Sequence, residues 1–320
     1  MIVVAGEALV DLVPSPSTAD GGLADLMPRL GGGPYNVAIA AGRLGAPVSF
    51  LSRVSTDLYG DALVDRLHGS AVGTDLVQRG AEPTTLAVVG IGPDGSARYS
   101  FYVEGTADRL VADPGALAED VTAVSFGTLS LVLEPGASAY EAVLRRESAR
   151  GALTVLDPNI RAALIHDPAA YRARYLSWLP DVGLLKVSVE DARWLADLPE
   201  DAPEDAVLEV ARQWLAAGPA AIVLTRGGDG LAVLTGAGEV LRVPPRKVTV
   251  VDTIGAGDTV QGALIAWLHQ EDALSADAVQ ALTAERWEEA LTYAGNAAAF
   301  TCTRAGAEPP YSEELAAFVE

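Results

Sequence analysis

The sequence predicts an α/β protein with a mostly parallel sheet and helices on both of its faces. Between residues 121 and 224, short apolar runs rich in β-branched residues alternate with longer runs whose apolar residues recur every three to four positions. We expect strands at 121–126, 152–156, 182–187 and 221–224, and helices at 135–150, 168–178, 189–197 and 204–217. This alternation implies right-handed crossovers between parallel strands, and ligands of such sheets bind at the carboxyl ends of the strands.

The length and composition favour one domain. A chain of 320 residues, half of them hydrophobic, can bury one large α/β core or two smaller ones. No linker, repeat or low-complexity tract is long enough to divide it, so we expect a single domain over 1–320.

The charge and the cysteine content limit the partners and the compartment. The net charge of −21 repels nucleic acid phosphates and anionic lipid, and no apolar run reaches membrane-spanning length. We therefore expect no nucleic acid or membrane partner. The single cysteine, Cys302, excludes an internal disulfide, and no signal peptide is apparent, so we expect a cytoplasmic protein.

The N-terminal part predicts a buried strand at 2–5 that continues through 7–13. Asp11 is a charge within this second run. It either faces solvent on an alternating strand or accepts hydrogen bonds from vicinal hydroxyl groups of a ligand, a task that suits a carboxylate.

The next motif comprises the three glycines at 31–33 and the helical pattern that follows them. Glycines bring the backbone close to a ligand, and Pro34 suits the first position of a helix. Asn36 then falls in the first helical turn. This helix is expected to end near Gly45, before a strand at 47–54.

A β-hairpin is predicted from the β-prone runs 84–91 and 96–103, which flank the turn residues 92–95. Tyr99 and Phe101 lie two residues apart in the second run. They either face a bound ligand or fill an interface of the hairpin itself.

Polar residues follow three of the predicted strands. Residues 157–161 read Asp-Pro-Asn-Ile-Arg, 188–191 read Ser-Val-Glu-Asp, and 225–230 read Thr-Arg-Gly-Gly-Asp-Gly. Each motif also has a purely structural interpretation: a surface ion pair for the first, a helix cap for the second and a hairpin turn for the third. If the sheet is parallel, however, all three loops lie at the same edge.

The stretch 248–262 predicts a strand, a tight turn through Gly255 and Gly257, and a helix. The free N–H groups at the helix start attract an anion, so the turn is a candidate phosphate site. Asp258 lies in the first helical turn, where the helix dipole and backbone donors are expected to keep it ionised. A carboxylate beside a phosphate site is electrostatically unfavourable unless it accepts a proton. The spacing matches neither the P-loop nor the dinucleotide-binding fingerprint.

These motifs resemble those of a known family. Residues 252–258 resemble the second signature of the ribokinase, or PfkB, family of sugar kinases, and residues 31–45 resemble the first. With 157–161, the motifs follow the family's order over nearly the whole chain. The resemblance implies a ribokinase-like fold in which segments of approximately 12–30 and 84–104 form a small β-sheet lid. The lid often pairs between subunits, which implies a homodimer.

The resemblance also implies roles for individual residues. Asp258 would be the catalytic base, assisted by the backbone N–H groups of Gly255, Ala256 and Gly257. The sugar would be bound by Asp11, Gly32, Gly33, Asn36, Asn159 and Arg161, together with Tyr99 and Phe101 if they face it. ATP would be bound by Ser188, Thr225, Gly227, Gly230 and Asn296.

Two metal sites are implied in the same way. The pair Ser188 and Asp191 aligns with a family motif that arranges water and Mg²⁺ near the phosphates, and either Asp191 or its neighbour Glu190 would face the metal. Helix capping explains the same residues equally well. Asp252 and residues 301–306 resemble a loop that holds a monovalent cation, here K⁺.

The implied function is ATP-dependent phosphorylation of a sugar at a primary hydroxyl. Residues 6–11 and 101–108 are similar to the corresponding segments of fructokinases, which favours D-fructose and fructose 6-phosphate. The alternatives are 2-keto-3-deoxygluconate, ribose or a nucleoside as substrate, or a non-catalytic sugar-binding relative. Kinases for the sugar acid tend to carry an Arg where this chain has Val103 or Glu104. An oxidoreductase that binds a dinucleotide lacks its fingerprint here.

Overall fold

The computed structural model describes residues 1–15, 25–91, 97–236, 238 and 240–320. The strands in these ranges are β1 Ile2–Ala5, β2 Leu9–Pro14, β3 Leu26–Gly31, β4 Val48–Ser55, β5 Val72–Gly73, β6 Val77–Gly80, β7 Thr85–Ile91, β8 Ala97–Tyr102, β9 Ala123–Gly127, β10 Leu153–Asp157, β11 Leu184–Ser188, β12 Ala221–Thr225, β13 Leu231–Thr235 and β14 Val240–Val243. The α-helices are α1 Gly33–Arg43, α2 Leu58–Gly69, α3 Gly136–Ala149, α4 Pro168–Trp178, α5 Val189–Leu195, α6 Glu204–Ala217, α7 Ala256–Gln270, α8 Ala276–Ala281, α9 Ala284–Cys302 and α10 Ser312–Val319.

The large sheet has the strand order β14-β13-β12-β11-β10-β9-β1-β4-β5, with β6 also paired to β4. Neighbouring strands from β12 to β5 in this order run parallel, which confirms the predicted alternation of strands and helices. Only β13 and β14 are antiparallel to their neighbours. The loop between β12 and β13 spans residues 226–230, too short for a crossover helix, so the chain turns straight back.

Helices cover both faces of this sheet, as predicted. Within β1, Ile2 and Val4 belong to the core beneath α1, α7 and α9, whereas Val3 and Ala5 belong to the core beneath α3, α4 and α6. Because side chains alternate along a strand, a continuous apolar run such as β1 supplies both cores. The same alternation decides which polar residues at the strand ends point toward α7.

A second, four-stranded sheet has the order β3-β2-β7-β8. Its strands overlap the two segments expected at 12–30 and 84–104, although β2 begins earlier, at Leu9, and β7 and β8 pair antiparallel as the predicted hairpin requires. Residues 16–24 and the hairpin turn at 92–95 lie outside the described residues.

The strand predicted at the start of 248–262 is wrong. Residues 244–252 are not part of either sheet, and Val250 and Val251 are 58% and 62% exposed. The N–H of Val251 donates to the carbonyl of Cys302 at 2.8 Å, at the end of α9. A β-branched run forms a strand only when a sheet edge is within reach, and this run passes a helix end instead.

In the part of the chain that the structure describes, none of the helices combines the length and the apolar character needed to cross a bilayer.

Candidate active site

A cavity of about 440 Å³ lies at the carboxyl ends of the central strands, and side chains from both sheets line it. Residues that the sequence singled out supply much of its wall. They are Asp11, Gly32, Gly33, Asn36, Tyr99, Phe101, Asn159, Arg161, Ser188, Asp191, Thr225, Gly255, Gly257 and Asp258. The expectation that the loops after the strands meet at one edge is therefore confirmed.

Asp258 is buried at the N-terminal turn of α7, with 8% of its surface exposed. Its Oδ2 accepts a hydrogen bond of 2.8 Å from Nδ2 of Asn36, and its Oδ1 lies 3.5 Å from Nδ2 of Asn159. Burial raises the pKa of Asp258 to about 6, although the bond from Asn36 and the charge of Lys186 oppose the rise. Asp258 is therefore still largely ionised at neutral pH, as expected, but desolvation makes it more basic than an ordinary aspartate. A base with a pKa near 6 is suited to accepting a proton near neutral pH.

Gly255 forms the turn before α7 with φ of 76°, in the left-handed region that favours glycine. A Cβ at this position would lie 2.5 Å from Cβ of Ala307. Gly255 and Gly257 line the cavity, whereas the N–H of Ala256 donates to the carbonyl of Thr253 at 3.2 Å and closes the turn. Of the three predicted amides, that of Ala256 is thus already engaged.

Asp252 ties this turn to the loop after α9. Its Oδ1 accepts from the N–H of Ile254 at 3.0 Å, and its Oδ2 accepts from the N–H of Gly306 at 2.8 Å. The carboxylate therefore lies where the predicted monovalent cation loop meets the turn predicted to bind phosphate.

Asp11 and Arg161 stand on the side of the cavity nearest the small sheet. Burial raises the pKa of Asp11 to about 6, and the charge of Arg161 opposes this rise. Arg161 donates to Oδ1 of Asn159 at 2.7 Å, which orients the Asn159 amide toward Asp258. Asn159 has φ of 38°, a conformation that asparagine adopts more readily than most residues.

Tyr99 and Phe101 stack on each other, with ring centroids 5.9 Å apart and an angle of 15° between the rings. Both line the cavity, whereas Tyr102, the next residue along β8, is exposed. The two rings thus lie against the cavity, where they would have to be to face a bound ligand.

Glu7 is a site residue whose role the sequence analysis did not identify. It is 2% exposed and lines the cavity, and its two carboxylate oxygens accept from the backbone N–H groups of Gly33 at 3.1 Å and Ser130 at 3.0 Å. Burial raises the pKa of Glu7 to about 7. The sequence did contain an indication of this role, because Glu7 is a charged residue within an otherwise apolar N-terminal run.

The motif at the end of β11 caps a helix and also lines the cavity. Ser188 caps α5 by accepting from the N–H of Asp191 at 2.9 Å, and Asp191 also lines the cavity. Oδ1 of Asp191 accepts from the N–H of Ile160 at 3.1 Å, and burial raises the pKa of Asp191 to about 6. Glu190 is exposed and is not among the cavity residues. Of the two acidic residues, Asp191 is therefore the one that faces the site.

No cluster of three or more His, Cys, Asp or Glu side chains able to hold a metal occurs among the residues described. One inward-facing carboxylate nevertheless fits Mg²⁺, because this ion retains several waters and usually binds one or two carboxylates together with substrate phosphates.

The predicted nucleotide loop lies at the end of β12. Thr225 lines the cavity, Gly227 is exposed in a short 3₁₀ turn, and Gly230 is buried with φ of 88°. A Cβ at Gly230 would lie 2.2 Å from the carbonyl oxygen of Val243. Gly230 is thus required by the turn, and Thr225 is the loop residue among the cavity side chains.

The structure does not bring Asn296 to this cavity. Asn296 lines a separate groove of about 760 Å³ between α9 and α10, where its neighbours include Ser312 and Leu315. Each residue of an α-helix is rotated by about 100° from the previous one, so neighbouring residues of α9 face different surroundings. The adjacent Gly295 instead approaches Leu231 of β13.

Asp157 and Lys186 are two further charged residues that the sequence analysis did not assign to the chemistry of Asp258. They form a buried ion pair on neighbouring strands, and Lys186 lines the cavity. The sequence signal was a lysine inside a strand that is otherwise apolar.

A buried carboxylate at an open helix N-terminus, in a cavity lined by polar side chains, is typical of an enzyme that transfers a phosphoryl group to an alcohol. Comparison with known proteins identifies its family. The family model described as pfkB family carbohydrate kinase matches residues 1–314, and the chain belongs to this family. A fructokinase of Rhizobium leguminosarum bv. trifolii is 38% identical over 284 residues, which cover 88% of this chain and 84% of the relative. Fructokinase-1 of Oryza sativa subsp. japonica is 31% identical over 327 residues, covering 98% and 95%.

Solved structures confirm the ribokinase-like fold. The crystal structure of a fructokinase from Xylella fastidiosa with bound ATP has a TM-score of 0.87 and 26% identity, with 99% of this chain and 97% of that chain covered. A fructokinase from Vibrio cholerae O395, solved with fructose, ADP and calcium, has a TM-score of 0.83 at 23% identity, with 100% and 98% covered. The prediction of a sugar kinase of the PfkB family is therefore confirmed.

Proposed function

We propose that this kinase uses ATP and Mg²⁺ to convert D-fructose into fructose 6-phosphate. The observation that carries the proposal is the buried carboxylate of Asp258 at the N-terminus of α7, inside a cavity lined by hydroxyl-binding side chains. The names of the relatives support fructose as the acceptor, since both curated relatives described above are fructokinases.

In this proposal Asp258 accepts the proton of the attacking primary hydroxyl. Its pKa of about 6 leaves it largely ionised at neutral pH, yet basic enough to take the proton as the oxygen attacks phosphorus. Gly255 and Gly257 line the cavity, so their amides would donate to the transferring group, and the positive end of the helix dipole would stabilise its charge.

Sugar recognition would combine hydrogen bonds with ring contact. Asp11 accepts from sugar hydroxyls, and the stacked rings of Tyr99 and Phe101 cover the apolar face of the sugar. Oδ1 of Asn36 is buried and has no hydrogen-bond partner among the described residues. It is therefore available to a substrate hydroxyl, while Nδ2 of the same side chain holds Asp258.

ATP would lie along the ends of β11 and β12, where Ser188 and Thr225 line the cavity. Mg²⁺, when bound, neutralises charge on the polyphosphate. Asp191 would hold it through water, because its carboxylate faces the cavity and already has one oxygen engaged by a backbone N–H.

A sugar acid is the second candidate substrate, and the structure offers little to recognise its carboxylate near residues 103–104. Val103 is buried, and Glu104 forms an ion pair with Arg109 at 2.7 Å. The remaining cation on the sugar side, Arg161, is held by Asn159 and faces Asp11. Fructose, a neutral ketose, fits this charge arrangement better.

A panel assay tests the substrate. ATP consumption would be measured with fructose, glucose, ribose, 2-keto-3-deoxygluconate and adenosine, each with Mg²⁺. We expect the highest kcat/KM with fructose and phosphorylation at its primary hydroxyl. A higher kcat/KM with the sugar acid or the nucleoside would reject fructose as the substrate.

The small sheet is also a candidate dimer interface in a cytoplasmic enzyme. Leu26 and Tyr102, on its two edge strands, are 42% and 62% exposed. Exposed large apolar side chains of this kind favour burial against a second copy of the chain. Light scattering on the purified protein would give the mass of a dimer, and a monomer at micromolar concentration would reject this interface.

A further inference from the structure

Lys186 is an unusual residue for this chain. Of 22 basic residues, 20 are arginine and only Lys186 and Lys247 are lysine. Lys186 is 4% exposed in the middle of β11, whereas Lys247 is exposed. Burying an ammonium group is costly, so a lysine at this position calls for a partner and a purpose.

Asp157 is the partner. Leu156 of β10 pairs with Leu185 of β11, so Asp157 and Lys186 are the next neighbours along the two parallel strands. Both side chains point toward α7, and Nζ of Lys186 donates to Oδ2 of Asp157. Buried ion pairs of this kind contribute little net stability compared with apolar residues of the same volume. Stability alone therefore does not explain the pair.

The position of the ammonium group indicates its purpose. Nζ of Lys186 lies 3.2 Å from the point where a Cβ of residue 257 would stand, so it lies against the first turn of α7 and Gly257 leaves room for it. It also lines the cavity and acts electrostatically on both Asp258 and Asp191. The positive charge thus lies against the helix N-terminus and interacts with both the candidate base and the carboxylate proposed to hold Mg²⁺.

We propose that Lys186 is a catalytic residue whose ammonium group contacts the transferring phosphoryl group. The inference rests on the proposed function. In the reaction the sugar oxygen forms a bond to the γ-phosphorus, the bond from that phosphorus to the bridging oxygen of ADP breaks, and the hydroxyl proton goes to Asp258. Lys186 exchanges no proton in this step, and its ammonium group stabilises the charge on the phosphoryl oxygens.

The chemistry of the side chain suits this role. Lysine is a compact charge with three donors, so it can satisfy Asp157 and an anion at the same time. An arginine, the basic residue used elsewhere in the chain, would bring a larger planar group against Gly257. Arg161 is the second cation of the described cavity residues, and its bonds to Asn159 direct it to the sugar side.

The test compares Lys186→Met with Lys247→Met and with the double variant Asp157→Asn/Lys186→Met. We expect Lys186→Met to lower kcat by about 100- to 1000-fold, as for loss of one donor to a developing charge, with little change in KM for the sugar. Lys247→Met should keep the unsubstituted kinetics. The double variant carries neither charge. If Lys186 only neutralises Asp157, this variant will regain most of the activity, and the proposal fails. We expect the double variant to remain as slow as Lys186→Met.

A binding measurement gives a readout that does not depend on turnover. Titration with ADP, Mg²⁺ and aluminium fluoride mimics the transferring phosphoryl group. We expect both variants that lack Lys186 to bind this mixture at least about tenfold more weakly than the unsubstituted protein, with similar affinity for ADP alone. Equal affinity for the mixture overturns the role of Lys186. Failure of the unsubstituted protein to phosphorylate fructose rejects the proposed substrate, and this titration still decides the role of Lys186.

Discussion

Nδ2 of Asn36 donates a 2.8 Å hydrogen bond to Oδ2 of Asp258, and this bond joins the first turn of α1 to the first turn of α7. The two helices can approach closely because Gly262 leaves no side chain between them. A Cβ at that position would lie 2.6 Å from Cβ of Ala40. The two sequence motifs, 222 residues apart along the chain, thus meet at a single carboxylate.

Asp258→Asn should nearly abolish turnover and leave sugar binding largely intact. Asparagine keeps an oxygen that can accept the bond from Asn36, but it cannot take a proton. Because general-base assistance is typically worth about 100- to 10,000-fold, we expect kcat to fall by that factor. Steady-state kinetics and calorimetric titration with the sugar measure the two effects. A variant that retains a tenth of the activity would exclude Asp258 as the base.

Asn36→Ala should move the acid limb of the pH profile to higher pH. In the unsubstituted enzyme, kcat/KM should fall as the pH drops below about 6, because protonated Asp258 cannot accept a proton. The bond from Asn36 stabilises the ionised carboxylate, so its removal raises the pKa of Asp258 further. The pH dependence of kcat/KM for both proteins checks this. If the acid limb of the pH profile does not shift in Asn36→Ala, a group other than Asp258 controls that limb.

Much of the fold was predictable because the parallel strands are buried on both faces and read as unbroken apolar runs. The strand predicted at 248–252 was wrong because the β-branched residues of this run pass a helix end instead of a sheet edge. The motifs identified most of the cavity residues. Asn296 lies outside this cavity, in a separate groove, and its role toward ATP stays a prediction because sequence alone does not fix which face of α9 meets the nucleotide.

The electrostatics were less predictable than the positions. The ionisation of Asp258 depends on how much solvent the surrounding side chains remove, and those side chains come from distant parts of the chain. The pairing of Asp157 with Lys186 depends on strand register, which a sequence does not reveal directly.

Gly255→Ala should destabilise the protein and weaken nucleotide binding. A Cβ there would meet Ala307 at 2.5 Å, and the φ of 76° is strained by about 1–2 kcal/mol for a residue other than glycine. The control is Gly69→Ala, at the end of α2 and outside the cavity, where a Cβ would have no neighbour within 4 Å. Thermal unfolding and KM for ATP should change in the first variant and remain unchanged in the second. If the two variants have the same thermal stability and the same KM for ATP, the tight fit of Gly255 is contradicted.

Glu7→Gln should weaken sugar binding more than ATP binding. The ionised carboxylate accepts two backbone N–H groups, including that of Gly33 beside the sugar site. A glutamine offers one acceptor oxygen, and its NH₂ group faces the second N–H. Losing one hydrogen bond to a charged group costs about 1.5–3 kcal/mol, so we expect KM for the sugar to rise at least tenfold at pH 8.

The control for Glu7 is Glu147→Gln. Glu147, on α3, is equally buried but pairs with Arg150 and does not line the cavity. It should lower stability without raising KM for the sugar. If both variants raise KM alike, the effect of Glu7 is a general loss of stability rather than positioning of the glycine turn.

The unliganded protein should be less stable at pH 8 than at pH 5 because of its buried site carboxylates. The folded-state pKa of Asp258 is about 6, above the ordinary value of 3.8. Between these two values the folded state retains a proton that the unfolded state releases, so stability falls as the pH rises through this window. A shift of this size corresponds to about 3 kcal/mol at higher pH. Asp11 and Asp191, with pKa values also raised to about 6, act in the same direction.

Asp258→Asn should therefore raise the free energy of unfolding at pH 8 by up to about 3 kcal/mol, with a much smaller effect at pH 4.5. Urea unfolding at both pH values measures this, and Asp65→Asn, at an exposed position on α2, controls for the loss of one negative charge from an acidic protein. A variant no more stable than the unsubstituted protein at pH 8 would show that desolvation of Asp258 is compensated within the fold. Increased stability together with lost turnover would show that the carboxylate is retained for catalysis at the expense of stability.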